Sequence, residues 1–159
     1  MLANELAALF VRDLTRLRQE IEAFPDTATL WATAPGISNA AGTLALHLEG
    51  NLREYIGRQL AHVDYRRDRP AEFSTRGVSR EELARRAGAL REEIPAVIAS
   101  LSDAELSATF PEMVLGAPTS TRQFLIHLSG HLNYHLGQID YLRRVSTGSG
   151  ALVLAELAS

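Results

Sequence analysis

Three histidines, His127, His131 and His135, stand four residues apart in the stretch STRQFLIHLSGHLNYHLGQIDYLRR, residues 120–144. Imidazole can ligate a metal or carry a proton near neutral pH, so this run invites a chemical reading. On a helix, residues four apart have Cβ atoms roughly 5–6 Å from each other. That suits a shared ion, bound at about 2.0–2.1 Å per nitrogen if it is zinc. Residues eight apart are separated by ~12 Å along the axis, so His127 and His135 cannot share an ion. Either His127 with His131 or His131 with His135 makes the pair, and His131 belongs to both. The missing ligands must come from another helix. Leu128 and Leu132 occupy the places where an HExxH zinc protease carries its glutamate base, which excludes that chemistry.

The residues between the histidines define the element that carries them. Ser120 and Gln123 have capping-box spacing, and Phe124, Leu125, Leu128, Leu132, Ile139 and Leu142 recur at the helical period. A second amphipathic helix is expected from a cap at Ser38 or Asn39 to about Val63, with Leu44, Leu48, Leu52, Tyr55, Ile56 and Leu60 on its apolar face. It contains His47, with Asn51 one turn further on the same face. Gly50 and Gly57 here, and Gly130 and Gly137 in the histidine helix, each cost ~1 kcal/mol relative to alanine. The expectation is a close helix–helix approach at these glycines that brings His47 near His131 and His135.

Two more helices complete the pattern. Leu6, Phe10, Leu14, Leu17 and Ile21 give the first, ended by Pro25 and Asp26; Ser79 with Glu82 opens the third, inside which Pro95 predicts a kink or a break. Trp31 is expected to cover the helix ends. The connector DYRRDRPAEFSTRG, residues 64–77, reads as a solvated charged surface or, more sharply, as an anion-binding rim made by Arg66, Arg67, Arg69 and Arg76. Residues 102–119 read as an irregular crossing loop, with a brief hairpin between Thr109-Phe110 and Met113-Val114-Leu115. After a break at residues 146–150, Ala151 to Ala158 reads as a short final helix. Four long amphipathic patterns without a run of strands predict an all-α four-helix bundle, with a long crossing loop between helices three and four. The whole chain, residues 1–159, reads as one domain with a short C-terminal extension from about residue 146.

Composition narrows the function. The 159 residues are 46% hydrophobic and 22% charged, as in an ordinary globular domain. A net charge of -3 leaves no basic footprint for nucleic acid. No apolar run approaches the ~20 residues of a membrane span. The first residues, MLANELAALFVRDLTRL, continue as an amphipathic pattern without a basic leader region, so the cytoplasm is the default expectation. The absence of cysteine excludes disulfides, thiolate ligands and cysteine nucleophiles.

Taken together, LALHLEGNLREYIG at 44–57 and HLSGHLNYHLGQI at 127–139 resemble the DinB-like superfamily. GISNAAG at 36–42, Trp31 and YRRDRPAEFSTRGVSREEL at 65–83 extend the resemblance over nearly the whole chain to Arg144. It implies a four-helix metal-binding fold, with ligands falling on His47, His131 and His135. His127 matches no ligand position and is expected to stand behind the ligands or at the core edge. Gln138, in the family's HxGQ ending, and Asn51 are expected to touch a ligand imidazole or to join helices. The superfamily includes bacillithiol- and mycothiol-dependent S-transferases and a mycothiol-dependent maleylpyruvate isomerase. The resemblance thus implies a divalent metal, zinc or nickel before iron or manganese, and a small-molecule substrate, with a low-molecular-weight thiol as partner. Three imidazoles with an open position suit a thiol S-transferase-like or hydrolase-like enzyme. The other class is a non-catalytic bundle that binds metal or a small molecule for sensing or structure. A homodimer is expected from the fold and the late apolar segment.

Overall fold

The computed structural model describes residues 1–153, and its regular structure among them is helical. Helix α1 (Leu2–Glu22) buries Leu6, Phe10, Leu14, Leu17 and Ile21, the residues its sequence period selects. One-turn α2 (Thr27–Leu30) is capped by Asp26, whose carboxylate accepts from the Thr29 N–H at 2.7 Å. Trp31 follows, half-buried. Its indole N–H donates to the Val78 carbonyl at 2.8 Å, and its ring lies where a Cβ on Gly42 would come within 2.6 Å. Trp31 thus closes the entrance to the second long helix, as expected of a lid.

That helix differs from its expected form. It begins at α3 (Ala41–Leu52) after Ala40, with no side-chain cap from Ser38 or Asn39. It then widens into a π-helical stretch, Arg53–Arg58, and ends as α4 (Gln59–Ala61) before His62 in a left-handed conformation (φ 55°). A π segment replaces the i→i−4 ladder, but Leu52, Tyr55, Ile56 and Leu60 keep three- and four-residue spacings through it, which is why the sequence reads as one helix. The charged connector is not simply solvated surface. Asp68 caps α5 (Arg69–Ser74), accepting from the Ala71 N–H at 3.0 Å, and α5 packs on α3 with Glu72 buried.

Helix α6 (Arg80–Ser100), capped by Ser79, continues unbroken through Pro95, so the proline does not divide it. The segment read as a crossing loop opens with α7 (Asp103–Ser107), held by a complete Ser102–Glu105 capping box. Its pairing joins Thr109 to Ser120 and Val114 to Ala117, rather than Thr109-Phe110 to residues 113–115. Helix α8 (Thr121–Thr147), capped by Ser120, ends at Gly148, where φ is 69°. Ala151–Val153 carry no regular structure; the rest of the expected final helix lies outside the described residues.

The long elements, α1, α3 with its π extension, α6 and α8, form a four-helix bundle around one core. Helix α1 packs chiefly on α6, while α3 meets α5, α6 and α8. Two clusters of buried charge cross that core. Arg143, 1% exposed, donates to Glu20 at 2.5 Å, and also to Asp140 and the Gly150 carbonyl at 3.1 Å each. Burial pushes the Glu20 carboxyl up, and Arg143 pulls against it. Asp13, fully buried on α1, accepts from Arg12 and from Asn133 of α8. Both clusters fasten α1 to α8.

Candidate metal centre

Helix α8 presents His131 and His135 one turn apart toward α3, and α3 presents His47 toward both. The Nε2 atoms of His47 and His131 lie 3.2 Å apart, and those of His135 and His131 3.1 Å apart. The three groups offer ligand atoms all within 4.8 Å of one another. Two nitrogens at zinc-bond distance from one ion, at a tetrahedral angle, stand roughly 3.3 Å apart. The spacing therefore fits a single divalent ion.

Hydrogen bonding behind the rings sets their tautomers. Nδ1 of His47 donates to Glu72 Oε2 at 2.9 Å, and Nδ1 of His135 donates to Gln138 Oε1 at 2.7 Å. A neutral ring with its proton on Nδ1 presents a bare lone pair at Nε2. Two such lone pairs face His131 Nε2. The other nitrogen of His131, Nδ1, is buried without a partner among the described residues. Burial, reinforced by His135 and His47, lowers the His131 pKa to about 4; burial also lowers that of His47. These two rings are neutral at pH 7, the form that binds a metal.

Glu72 completes a carboxylate–histidine arrangement of the kind that orients metal ligands. It is 7% exposed and receives both Arg67 Nε at 2.6 Å and Arg67 Nη2 at 2.9 Å. A Cβ on Gly50 would overlap its carboxylate, so α3 admits the side chain only because residue 50 is glycine. The expected close approach of the two long helices at the glycines is not found: at Gly50 the neighbour is Glu72 of α5, whereas Gly57, Gly130 and Gly137 face open space within 4 Å. Phe73, next along α5, packs its ring 5.0 Å from His47.

Gln138 supports His135 directly. Asn51 is buried at 8% exposure, and its Oδ1 has no partner among the described residues. His127 stays outside the triad, exposed, with its ring stacked on Phe124 at 5.8 Å. Of the two histidine pairs that spacing allows, the structure brings His131 and His135 together with His47. Sequence reasoning missed Glu72, and named Arg67 only as a rim residue rather than as the partner of Glu72. Asp68 followed by Pro70 does signal a helix start, but nothing in the sequence announces that this short helix reaches His47.

Two cavities reach the triad. One, of about 360 Å³, is bordered by His47 and His131 together with Asn51, Arg67, Arg69 and His127. The other, of about 600 Å³, is bordered by His135, Gln138, Tyr134, Tyr141 and Ile37, with no charged residue in its lining.

A helical bundle with three histidines converging between its second and fourth long helices defines a class of proteins that could hold an ion in a bundle core. The chain belongs to the DinB superfamily, whose model matches residues 9–139. Four chains among solved structures match. One is a DinB-like protein from Bacillus cereus ATCC 10987, at 18% identity and a TM-score of 0.66, covering 89% of this chain and 91% of that one. This likeness is one of fold. No curated protein matches the sequence. Among the described residues, no helix is long and apolar enough to cross a membrane.

Proposed function

We propose that the protein is a metal-dependent transferase acting on a small molecule, with His47, His131 and His135 as the ligands of one divalent ion. The carrying observation is the convergence of three imidazoles, two of which, His47 and His135, make outer hydrogen bonds that leave their Nε2 lone pairs facing inward. Imidazole suits zinc, nickel and iron, and manganese less well. When bound, such an ion supplies Lewis acidity and lowers the pKa of a thiol or water that binds it. The chain's own residues do the positioning. Glu72, held by Arg67, keeps the His47 proton on Nδ1, and Gln138 does the same for His135. Phe73 and the buried faces of α3 and α8 limit water around the rings.

Transfer is favoured over hydrolysis because two cavities of different chemistry reach the triad, one at His47 and His131 and the other at His135. Hydrolysis needs room for one organic substrate beside water, whereas transfer needs room for two. The low-molecular-weight thiol co-substrates of this superfamily's S-transferases suit the arrangement.

The test is metal content by plasma mass spectrometry on untagged protein, wild type beside His131→Ala. About one ion per chain, lost in the variant, is expected. Thiol-transfer assays with that metal then follow. No metal in the wild type after supplementation would overturn the site. One firmly bound metal without thiol-dependent turnover would leave the non-catalytic, sensing or structural reading in its place.

A further inference from the structure

We infer that the cavity beside His47 and His131 receives a carboxylate-bearing small molecule, its charge held by Arg69 and its opposite end directed at the histidines. The inference rests on the metal-centre reading above and names the ligand class of that site.

The first observation is charge. The whole chain carries more acid than base, 19 Asp and Glu against 16 Lys and Arg. Yet no carboxylate is among the residues bordering this cavity, which include two arginines and three histidines. Arg67 is already neutralised by Glu72. Arg69 has no carboxylate partner among the described residues. Its guanidinium lies over the Phe73 ring, 5.2 Å from the centroid, and that ring packs against His47. The stacking holds an uncompensated cation one aromatic ring away from a metal ligand.

The second observation is polarity within the wall. Asn51 is buried at 8% exposure, borders the cavity, and leaves Oδ1 without a partner among the described residues. An unpaired buried amide oxygen is costly, and a ligand N–H or O–H would satisfy it. His127, stacked on Phe124, borders the same cavity.

The third is the apolar remainder. Met113, Val114, Leu115, Phe124 and Leu128 line the wall, and Leu115 is held at a φ of 57°, unusual for a branched residue. A ligand matched to this cavity has one anionic end, a short apolar body and a hydrogen-bond donor. A carboxylate fits better than a phosphate. One planar guanidinium pairs bidentately with a carboxylate, while a phosphate near two negative charges calls for more cations than Arg69 alone provides.

The test uses cobalt-loaded protein titrated with 3-mercaptopropionate and with 2-mercaptoethanol, followed by the cobalt–thiolate absorption. The charged thiol is expected to bind about tenfold more tightly, the scale of one charge-assisted hydrogen bond. Arg69→Gln should abolish that preference while retaining one cobalt per chain, and Arg66→Gln should leave it intact. Propionate should compete at lower concentration than inorganic phosphate. Equal affinities in the wild type, or a preference that survives in Arg69→Gln, would overturn the inference, and stronger competition by phosphate would do so as well. If the wild type takes up no cobalt, the metal reading fails separately. Calorimetry of metal-free protein with hexanoate and hexanol then decides: hexanoate preference lost in Arg69→Gln supports the cavity's assignment, and no preference removes it.

Discussion

Glu72 shows how one residue far from the histidine motif governs the site. Its carboxylate sets the proton on His47, so Glu72→Ala should weaken metal binding by roughly 10–100-fold, measured by competition with a chelator. Gly50→Ala should act through the same contact, because its methyl would displace the carboxylate. In a Glu72→Ala background, Gly50→Ala should add little further loss, a non-additivity that a double-mutant cycle reads directly. His131 gives a pH prediction for metal-stripped protein. Its folded-state pKa of about 4 lies below the ordinary 6.5, so the unfolded chain binds the extra proton first. This contribution to stability is present above about pH 6.5 and is lost as pH falls toward about 4. The melting temperature should decline over that window, and less steeply in His131→Gln. At this scale the sequence was readable where chemistry repeats along one helix. The HxxxH spacing is local and leaves two pairs open; the bundle pattern suggested the union of His131 and His135 with His47, and the family resemblance singled these three out as ligands. Glu72 was hidden because its contact with His47 spans 25 residues and follows no period.

At the scale of elements, the helices whose starts carry Ser with Glu or Gln three residues on were legible, and Ser79 and Ser120 do accept from the expected N–H groups. The same Ser-x-x-Glu signal at Ser102 was obscured by the Pro- and Gly-containing stretch beyond it. The π-helical widening after Leu52 was not legible, since apolar residues there keep the spacing of an ordinary helix. Glycine spacing alone also failed to separate two roles. Gly42 and Gly50 admit a neighbour; Gly130 and Gly137 lie in α8 with nothing near their would-be Cβ atoms. Gly130→Ala and Gly137→Ala should therefore each stabilise the fold by about 1 kcal/mol, the helix-propensity difference. Chemical denaturation would measure this, and a loss of stability would reveal a neighbour at these positions.

For the whole molecule, the Glu20–Arg143 pair decides how firmly α1 is held to α8. Removing one partner strands a buried charge, so Arg143→Ala should cost about 3–5 kcal/mol in urea denaturation. Glu20→Leu with Arg143→Met should recover most of that loss, because a well-packed apolar replacement removes both desolvated charges together. The four-helix architecture itself was readable from four amphipathic periods. The Glu20–Arg143 ion pair was not, because its partners are 123 residues apart.

The position of Glu72 has a consequence for motion. The residue that steadies His47 belongs to α5, a six-residue helix in the connector between two of the long helices. At the proposed centre, ion binding and the ordering of α5 would share one free energy, and each would strengthen the other by the same factor. Amide hydrogens of α5 should exchange more slowly once the metal is bound. A partner or modification that drew the connector away from α3 would loosen the ion in the same proportion, so this short helix is a place from which the centre could be controlled without touching a ligand.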